Sequence, residues 1–297
     1  MKSRILAFSG SKQSGKTTCC NFLHGYQLRC QSIVENFSVL ETGELVVTTS
    51  VIDENGAINK ADAMLDVSRV DLEFAEWAIY SMWPYVKKYS FAAPLKEIAI
   101  GLFDLTQEQC FGTDQQKNTL TNVRWGDMPG INVTKSKKRK KMTAREFLQY
   151  FGTEVCRGIK NDVWADRCLK DIYSEDPLLA IIDDCRFPNE LDAIQKAGGK
   201  VIRLTRSPHE DKHNSEKSLD DCENFDAVID NANMTIHEAC KSLIEILDNW
   251  GWLGKEISKA EIETKLAHNL NPQAAQTQAQ PEPELVGGIH TIKKVEE

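Results

Sequence analysis

Three observations predict an α/β fold in which helices flank a parallel sheet that carries a phosphate-cradling loop. Gly10-Ser11-Lys12-Gln13-Ser14-Gly15-Lys16-Thr17 fits the pattern G-x-x-x-x-G-K-[ST] directly after Arg4-Ile5-Leu6-Ala7-Phe8-Ser9, a short apolar run with the character of a buried strand. Leu178-Leu179-Ala180-Ile181-Ile182 and Lys200-Val201-Ile202-Arg203-Leu204 suit parallel strands covered on both faces, and the helical stretch 189–197, closed by Gly198-Gly199, joins them. Strand, helix and strand in that order predict a right-handed crossover. The third observation is composition: 297 residues, 41% hydrophobic and 27% charged, suffice for a full core and are ordinary for a soluble globular chain.

After the first strand, residues 15–29 are expected as a helix. Its glycine-rich entry lets the backbone curl so that successive N–H groups converge on phosphate oxygens at the positive helix end. Ser38-Val39-Leu40-Glu41-Thr42-Gly43-Glu44-Leu45-Val46-Val47 reads as two short strands around a Thr-Gly turn, and Asp53-Glu54-Asn55-Gly56 offers a second turn. A small β insertion is therefore expected over residues 32–60. Residues 70–83 are expected as a helix and 86–91 as a strand leading to Ala92-Ala93-Pro94-Leu95-Lys96. Pro94 suits the first turn of a helix continuing to residue 102, where its missing N–H costs nothing.

Residues 113–142 are polar and end in Lys135-Ser136-Lys137-Lys138-Arg139-Lys140-Lys141, six basic residues in seven without amphipathic period. A solvated loop is the first reading, with a mobile lid or a nucleic-acid contact as alternatives. Thr143 and Glu146 have capping-box spacing for the next helix. A last strand is expected over 225–230 and a last helix over 235–250. From about residue 255 the core pattern is lost, and the Gln-, Ala- and Pro-rich stretch 273–284 reads as a disordered tail, so the folded domain spans 1–254.

In a parallel sheet, ligands bind outside the carboxyl ends of the strands, so chemistry is sought there. Lys16 would reach the outer phosphates of a nucleoside triphosphate, and the Thr17 hydroxyl would ligate Mg²⁺. Asp183-Asp184-Cys185-Arg186 leaves the strongest strand, where one carboxylate would face that Mg²⁺ directly or through water; an acidic helix cap is the alternative. Arg186 and Arg206 present planar forks suited to phosphate or to the charge that develops during its transfer, although each also fits a surface ion pair. With Lys12, Lys96 and Arg157 they complete a cation inventory suited to phosphoryl transfer, and no nucleophile elbow competes with it. Asn59-Lys60-Ala61-Asp62 spells N-K-x-D and Asp53 to Gly56 spells D-x-x-G, but both lie in the β insertion, far from a late core strand, and are read as chance.

No run approaches the roughly 18 apolar residues of a membrane span, and the apolar start of the chain is too short for a signal peptide, so the cytosol is expected. The nine cysteines show no zinc spacing and read as small buried hydrophobes. A net charge of −8 argues against wholesale nucleic-acid binding. Trp125 and Trp164 would either stack on a base or pack in the interior. His213 and Glu216 would either fix a lid over residues 206–222 or cap a short helix near Ser215.

Beyond the phosphate loop, the segment Phe91-Ala92-Ala93-Pro94-Leu95-Lys96, the stretch Leu148-Gln149-Tyr150-Phe151-Gly152-Thr153-Glu154 with Arg157 and Trp164, and Asp184-Cys185-Arg186 with Asn189-Glu190 resemble the deoxynucleoside monophosphate kinases of tailed bacteriophages. His213-Asn214-Ser215-Glu216 and Val228-Ile229-Asp230-Asn231 look like later signatures of that family, so the resemblance spans about residues 4–247 in order. It implies a P-loop nucleoside monophosphate kinase-like fold and ATP-dependent phosphorylation of deoxynucleoside monophosphates, supporting phage DNA synthesis in the host cytoplasm. By position, Gly10, Lys12, Ser14, Gly15, Lys16, Thr17 and Thr18, with Asn231, would hold ATP. Lys96, Arg157 and Trp164 would line the acceptor side with Asp184 and Arg186, while Lys16, Arg157, Arg186 and Arg206 would carry the transfer and Thr17, Asp183 and Asp184 would serve the metal. The resemblance admits a homodimer and implies no stable nucleic-acid partner. A kinase of another small phosphorylated metabolite and a DNA-stimulated ATPase are the rival readings.

Overall fold

The computed structural model describes residues 3–52, 57–207, 218–253 and 293–294. The chain divides into two compact units, one of Met1–Tyr89 with Lys170–Glu297 and one of Ser90–Leu169.

The first unit begins with β1 (Arg4–Ser9), whose residues after Arg4 are all buried, and α1 (Lys16–Cys30). The insertion follows as an antiparallel meander of β2 (Asn36–Val39), β3 (Leu45–Ile52) and β4 (Ile58–Met64). The third strand carries it past the expected end at residue 60, and nothing in Ile58–Met64 alternates clearly enough to announce a strand. Its pairing is fixed from outside: Val46 faces Met64, Thr48 faces Asp62, and the Thr48 hydroxyl donates to Asp62 at 2.6 Å. Asn59-Lys60-Ala61-Asp62 thus lies along a strand of this small sheet, while Asp53 to Gly56 falls outside the described residues. Next come α2 (Leu72–Ser81), capped by the Asp71 side chain, and β5 (Val86–Tyr89).

The second unit holds α3 (Ala93–Phe103), with Pro94 in its first turn, α4 (Gln107–Phe111) and α5 (Asp114–Lys117). The stretch expected as a polar loop then forms β6 (Leu120–Arg124), α6 (Lys135–Lys138) and β7 (Lys141–Thr143), with β6 and β7 paired antiparallel. The reason is a few isolated apolar residues: Met128 and Met142 join Ala99, Leu105, Cys110 and Phe147 in a separate core, and buried Thr121 donates to the Met142 carbonyl at 3.0 Å. Single anchors of that kind leave no periodic trace. Lys135 to Lys141 stay exposed. The expected capping box of Thr143 and Glu146 opens α7 (Ala144–Tyr150), which continues through a π-helical segment, Phe151–Cys156, into α8 (Arg157–Ile159). The chain then enters α9 (Val163–Glu175).

The first unit resumes with β8 (Leu179–Cys185), α10 (Pro188–Lys196), β9 (Lys200–Leu204), β10 (Ala227–Ile229) and α11 (Ile236–Asn249), the last opened by a Thr235–Glu238 capping box. These strands form a five-stranded sheet of order β10-β9-β1-β8-β5, parallel throughout. Its core gathers Leu6, Phe8, Leu23, Phe74, Met82, Ile181, Ile202 and Leu243. Because β8 and β9 take opposite sides of β1, the loop after Ser9 leaves the sheet where the strand order reverses, the place such sheets keep for ligands.

β11 (Lys293–Lys294) adds to the small sheet beside β4, and the rest of the tail from residue 254 lies outside the described residues, as do His213, Ser215 and Glu216. Cys19, Cys20, Cys110, Cys168, Cys185 and Cys240 are buried, and all nine cysteines are free thiols. Among the described residues no helix is long and apolar enough to cross a membrane.

Candidate active site

The loop between β1 and α1 is shaped by its own side chains. Gly10 has φ +151°, and a Cβ there would meet Ser14 Oγ at 2.6 Å and the Leu204 carbonyl oxygen at 2.9 Å, so glycine is required. The Lys16 ammonium donates to the Gly10 and Ser11 carbonyls at 2.7 Å each and to Ser14 Oγ at 3.4 Å. Burial and then the neighbouring Arg186, with Arg203 adding to it, push the Lys16 pKa down to about 8, against the opposing pull of Asp183 and Asp184. A buried lysine set beside two arginines makes a site that an anion would suit.

Both aspartates lie within β8 rather than beyond it, at an irregularity in the pairing. Ala7 pairs with Ile182 but Ser9 pairs with Cys185, so β8 carries one residue more than β1 across that interval, and a bulge of this kind re-aims side chains beside a site. Asp183 Oδ2 sits 2.8 Å from Lys88 Nζ on β5. Burial alone would lower the Lys88 pKa, but Asp183 outweighs it and holds the lysine above its ordinary value. Glu190, 2% exposed, closes the first turn of α10: its Oε2 accepts from the Arg186 and Phe187 backbone N–H groups at 2.8 and 3.0 Å, fixing the turn from which the Arg186 side chain departs.

Two further residues organise the opposite side. Asn231, 5% exposed, accepts from the Arg206 N–H at 3.0 Å and donates to the Ser14 carbonyl at 2.7 Å, stapling the segment after β9 to the phosphate loop. Arg203 was not singled out by sequence reasoning, yet it donates to Ser9 Oγ at 3.0 Å and to Asp220 Oδ1 at 2.6 Å. Its signal was a lone cation in an otherwise apolar part of a buried parallel strand. Between the loop and α11 opens a cleft of about 430 Å³, lined by Gln13 to Cys19, Arg206 and Asn231, by Met234, Thr235, Ile236, Ala239 and Cys240, and by Glu41 and Thr42.

The structure therefore brings Gly10, Ser14, Gly15, Lys16, Thr17, Thr18, Asp183, Asp184, Arg186, Arg206 and Asn231 to one edge of the sheet, with Lys12 on the same loop. Lys96, Arg157 and Trp164 belong to the second unit. There the Lys96 ammonium lies 4.4 Å from the Phe111 ring centre, and Arg157 donates to the Asn161 carbonyl at 3.3 Å. Trp164 is an interior residue: 5% exposed, it donates its indole N–H to the Gly152 carbonyl at 3.1 Å, which favours packing over base stacking. Trp125 likewise packs edge-on against Tyr150, with Lys137 4.0 Å from its ring centre.

The donor set suits Mg²⁺. Thr17 stands exposed on the first turn of α1, Asp183 and Asp184 supply carboxylate oxygens, and among the described residues no group of three or more His, Cys, Asp or Glu forms a cage of its own. Hard oxygen donors in small number fit a cation that arrives with the phosphates and keeps water in its shell.

A family model described as deoxynucleotide monophosphate kinase matches residues 99–241. A protein of Acanthamoeba polyphaga mimivirus named "Putative deoxynucleotide monophosphate kinase" is 32% identical over 174 residues, an alignment covering 54% of this chain and 82% of that protein. A relative this similar, matched over most of its length and in agreement with the family model, places the chain: it belongs to the deoxynucleotide monophosphate kinase family.

Proposed function

We propose that this chain, a phosphotransferase by its family, uses ATP and Mg²⁺ to convert deoxynucleoside monophosphates into deoxynucleoside diphosphates, in support of phage DNA synthesis in the host cytoplasm. An acceptor phosphate oxygen attacks the γ-phosphorus, the bond to the β,γ-bridging oxygen breaks, and ADP leaves. The loop N–H groups and Lys16 hold the β- and γ-phosphates. Thr17 and a carboxylate of the Asp183–Asp184 pair would hold Mg²⁺, which offsets phosphate charge when bound. Arg186 and Arg206 neutralise the charge that spreads over the equatorial oxygens during transfer, and Lys96 and Arg157 take the acceptor phosphate. Trp164 backs the acceptor region by packing.

The observation that carries this reading is the cation-rich pocket around Lys16 at the point where the strand order reverses. The test is ADP release with ATP, Mg²⁺ and each deoxynucleoside monophosphate in turn, beside the matching ribonucleotides and a DNA-only control. One deoxynucleoside diphosphate formed per ADP supports the reading; release stimulated only by DNA overturns it.

A further inference from the structure

We infer that the turn between β2 and β3 forms a wall of the donor cleft, and that Glu41 in this turn recognises the sugar hydroxyls of the donor nucleotide. The inference rests on the cleft being the donor site. The insertion lies outside the residues matched to the family, 99–241, so its role has to be argued from its own contacts.

The turn is pinned to α1. Gly43 is buried at φ +90°, its carbonyl accepts from Asn21 Nδ2 at 2.9 Å, and a Cβ in its place would meet Thr18 Oγ1 at 2.6 Å. Backbone bonds from Gly43 to Leu40 at 2.8 Å and from Leu40 to Glu44 at 2.9 Å close the turn, and Phe37 packs against Phe22 of α1 with ring centres 5.5 Å apart. Glu41 and Thr42 are thereby held at the cleft on a fixed support. The Thr42 hydroxyl is committed to Glu44 Oε2 at 2.7 Å. Glu41 is exposed, and its carboxylate has no hydrogen-bond or ion-pair partner among the described residues.

Position decides what Glu41 would meet. The loop and Arg206 form the phosphate end of the cleft, while Met234, Ile236, Ala239 and Cys240 give it an apolar wall suited to a base. The Glu41 turn adjoins Thr18 at the end of the phosphate loop and lines the same cleft as the apolar wall, so the sugar of a nucleotide spanning the two would lie beside it. A carboxylate there repels phosphate but accepts hydrogen bonds from neighbouring hydroxyls, the chemistry by which acidic residues select a ribose. Loss of the 2′-hydroxyl then removes a charge-assisted bond.

The test is calorimetric binding of Mg²⁺·ATP and Mg²⁺·dATP to the full chain and to Glu41→Ala, Glu41→Gln and Lys16→Ala. The wild type is expected to hold ATP about tenfold tighter than dATP, Glu41→Ala to bring the two together, and Glu41→Gln to fall between. Because the readout is a ratio, a general loss of folded protein cannot imitate it. Equal affinities in the wild type, or an undiminished preference in Glu41→Ala, overturn the inference and leave the donor site standing if Lys16→Ala loses both nucleotides. If Lys16→Ala keeps wild-type affinity for both, the donor reading of the cleft fails and the inference falls with it.

Discussion

The parallel sheet of the first unit and the segment Ser90–Leu169 solve the same problem, holding cations in place, by different means. In the sheet, continuous apolar strands bury both faces and put Lys16, Arg186 and Arg203 at one carboxyl edge, where the two arginines add to burial in disfavouring the Lys16 charge. In the second unit a small core around Phe147 and Met142 supports short elements, and three of its cations rest on local partners: Lys96 on the Phe111 ring, Arg157 on the Asn161 carbonyl, Lys137 on the Trp125 ring. A motif-bearing edge is tuned electrostatically before any ligand arrives, whereas a locally satisfied surface is tuned by what it packs on.

The comparison breaks most directly at Lys16. Lys16→Ala should lower turnover by about 10³ or more, since it removes the cation on the transferring phosphates, while the melting temperature stays level or rises because a disfavoured buried charge is gone. Phe147→Ala should cost about 3–5 kcal/mol of stability in denaturant titration. Hydrogen exchange should then show amides of α3 and α7 losing protection ahead of β1 and β8; uniform loss would mean that the two cores are not separate. Arg186→Ala should reduce turnover by on the order of 10² with a smaller change in ATP affinity, and near-normal turnover would remove its assigned role.

The Lys16 ionisation gives a pH signature. With a folded pKa near 8 against an ordinary value of 10.5, the unfolded chain holds more protons between those limits, so this group makes stability rise with pH across that window. Donor phosphates favour the charged form, so binding at pH 8 should take up part of a proton, and affinity should fall by up to about tenfold per pH unit above 8. Calorimetry in buffers of different ionisation heat measures the proton directly. The smallest effect belongs to Trp164→Phe: about 1 kcal/mol of stability for the lost bond to Gly152, with the acceptor KM within about twofold of wild type. A large rise in KM would return Trp164 to the acceptor surface.

Legibility followed the same division. The strands Arg4–Ser9 and Lys200–Leu204 and the cap at Thr143 could be read from the chain because burial on both faces and capping geometry each demand local residue patterns. The β6–β7 pair could not, because Thr121, Met128 and Met142 act singly from distant positions. Within the site, the phosphate loop and Arg186 were evident, but the commitment of Asp183 to Lys88 depends on the parallel pairing of β5 with β8, which no local pattern encodes. Glu190 was visible only as part of a resemblance; its work as a buried clamp on the Arg186 turn emerged with the folded geometry.

The most direct test of the central claim follows the label of γ-labelled ATP in the presence of Mg²⁺ and a deoxynucleoside monophosphate, for the wild type and for Lys16→Ala. Label recovered in the β-position of the deoxynucleoside diphosphate by the wild type, and abolished in a folded Lys16→Ala, is the predicted result. Label released as inorganic phosphate regardless of acceptor, or transfer that survives the substitution, would contradict it.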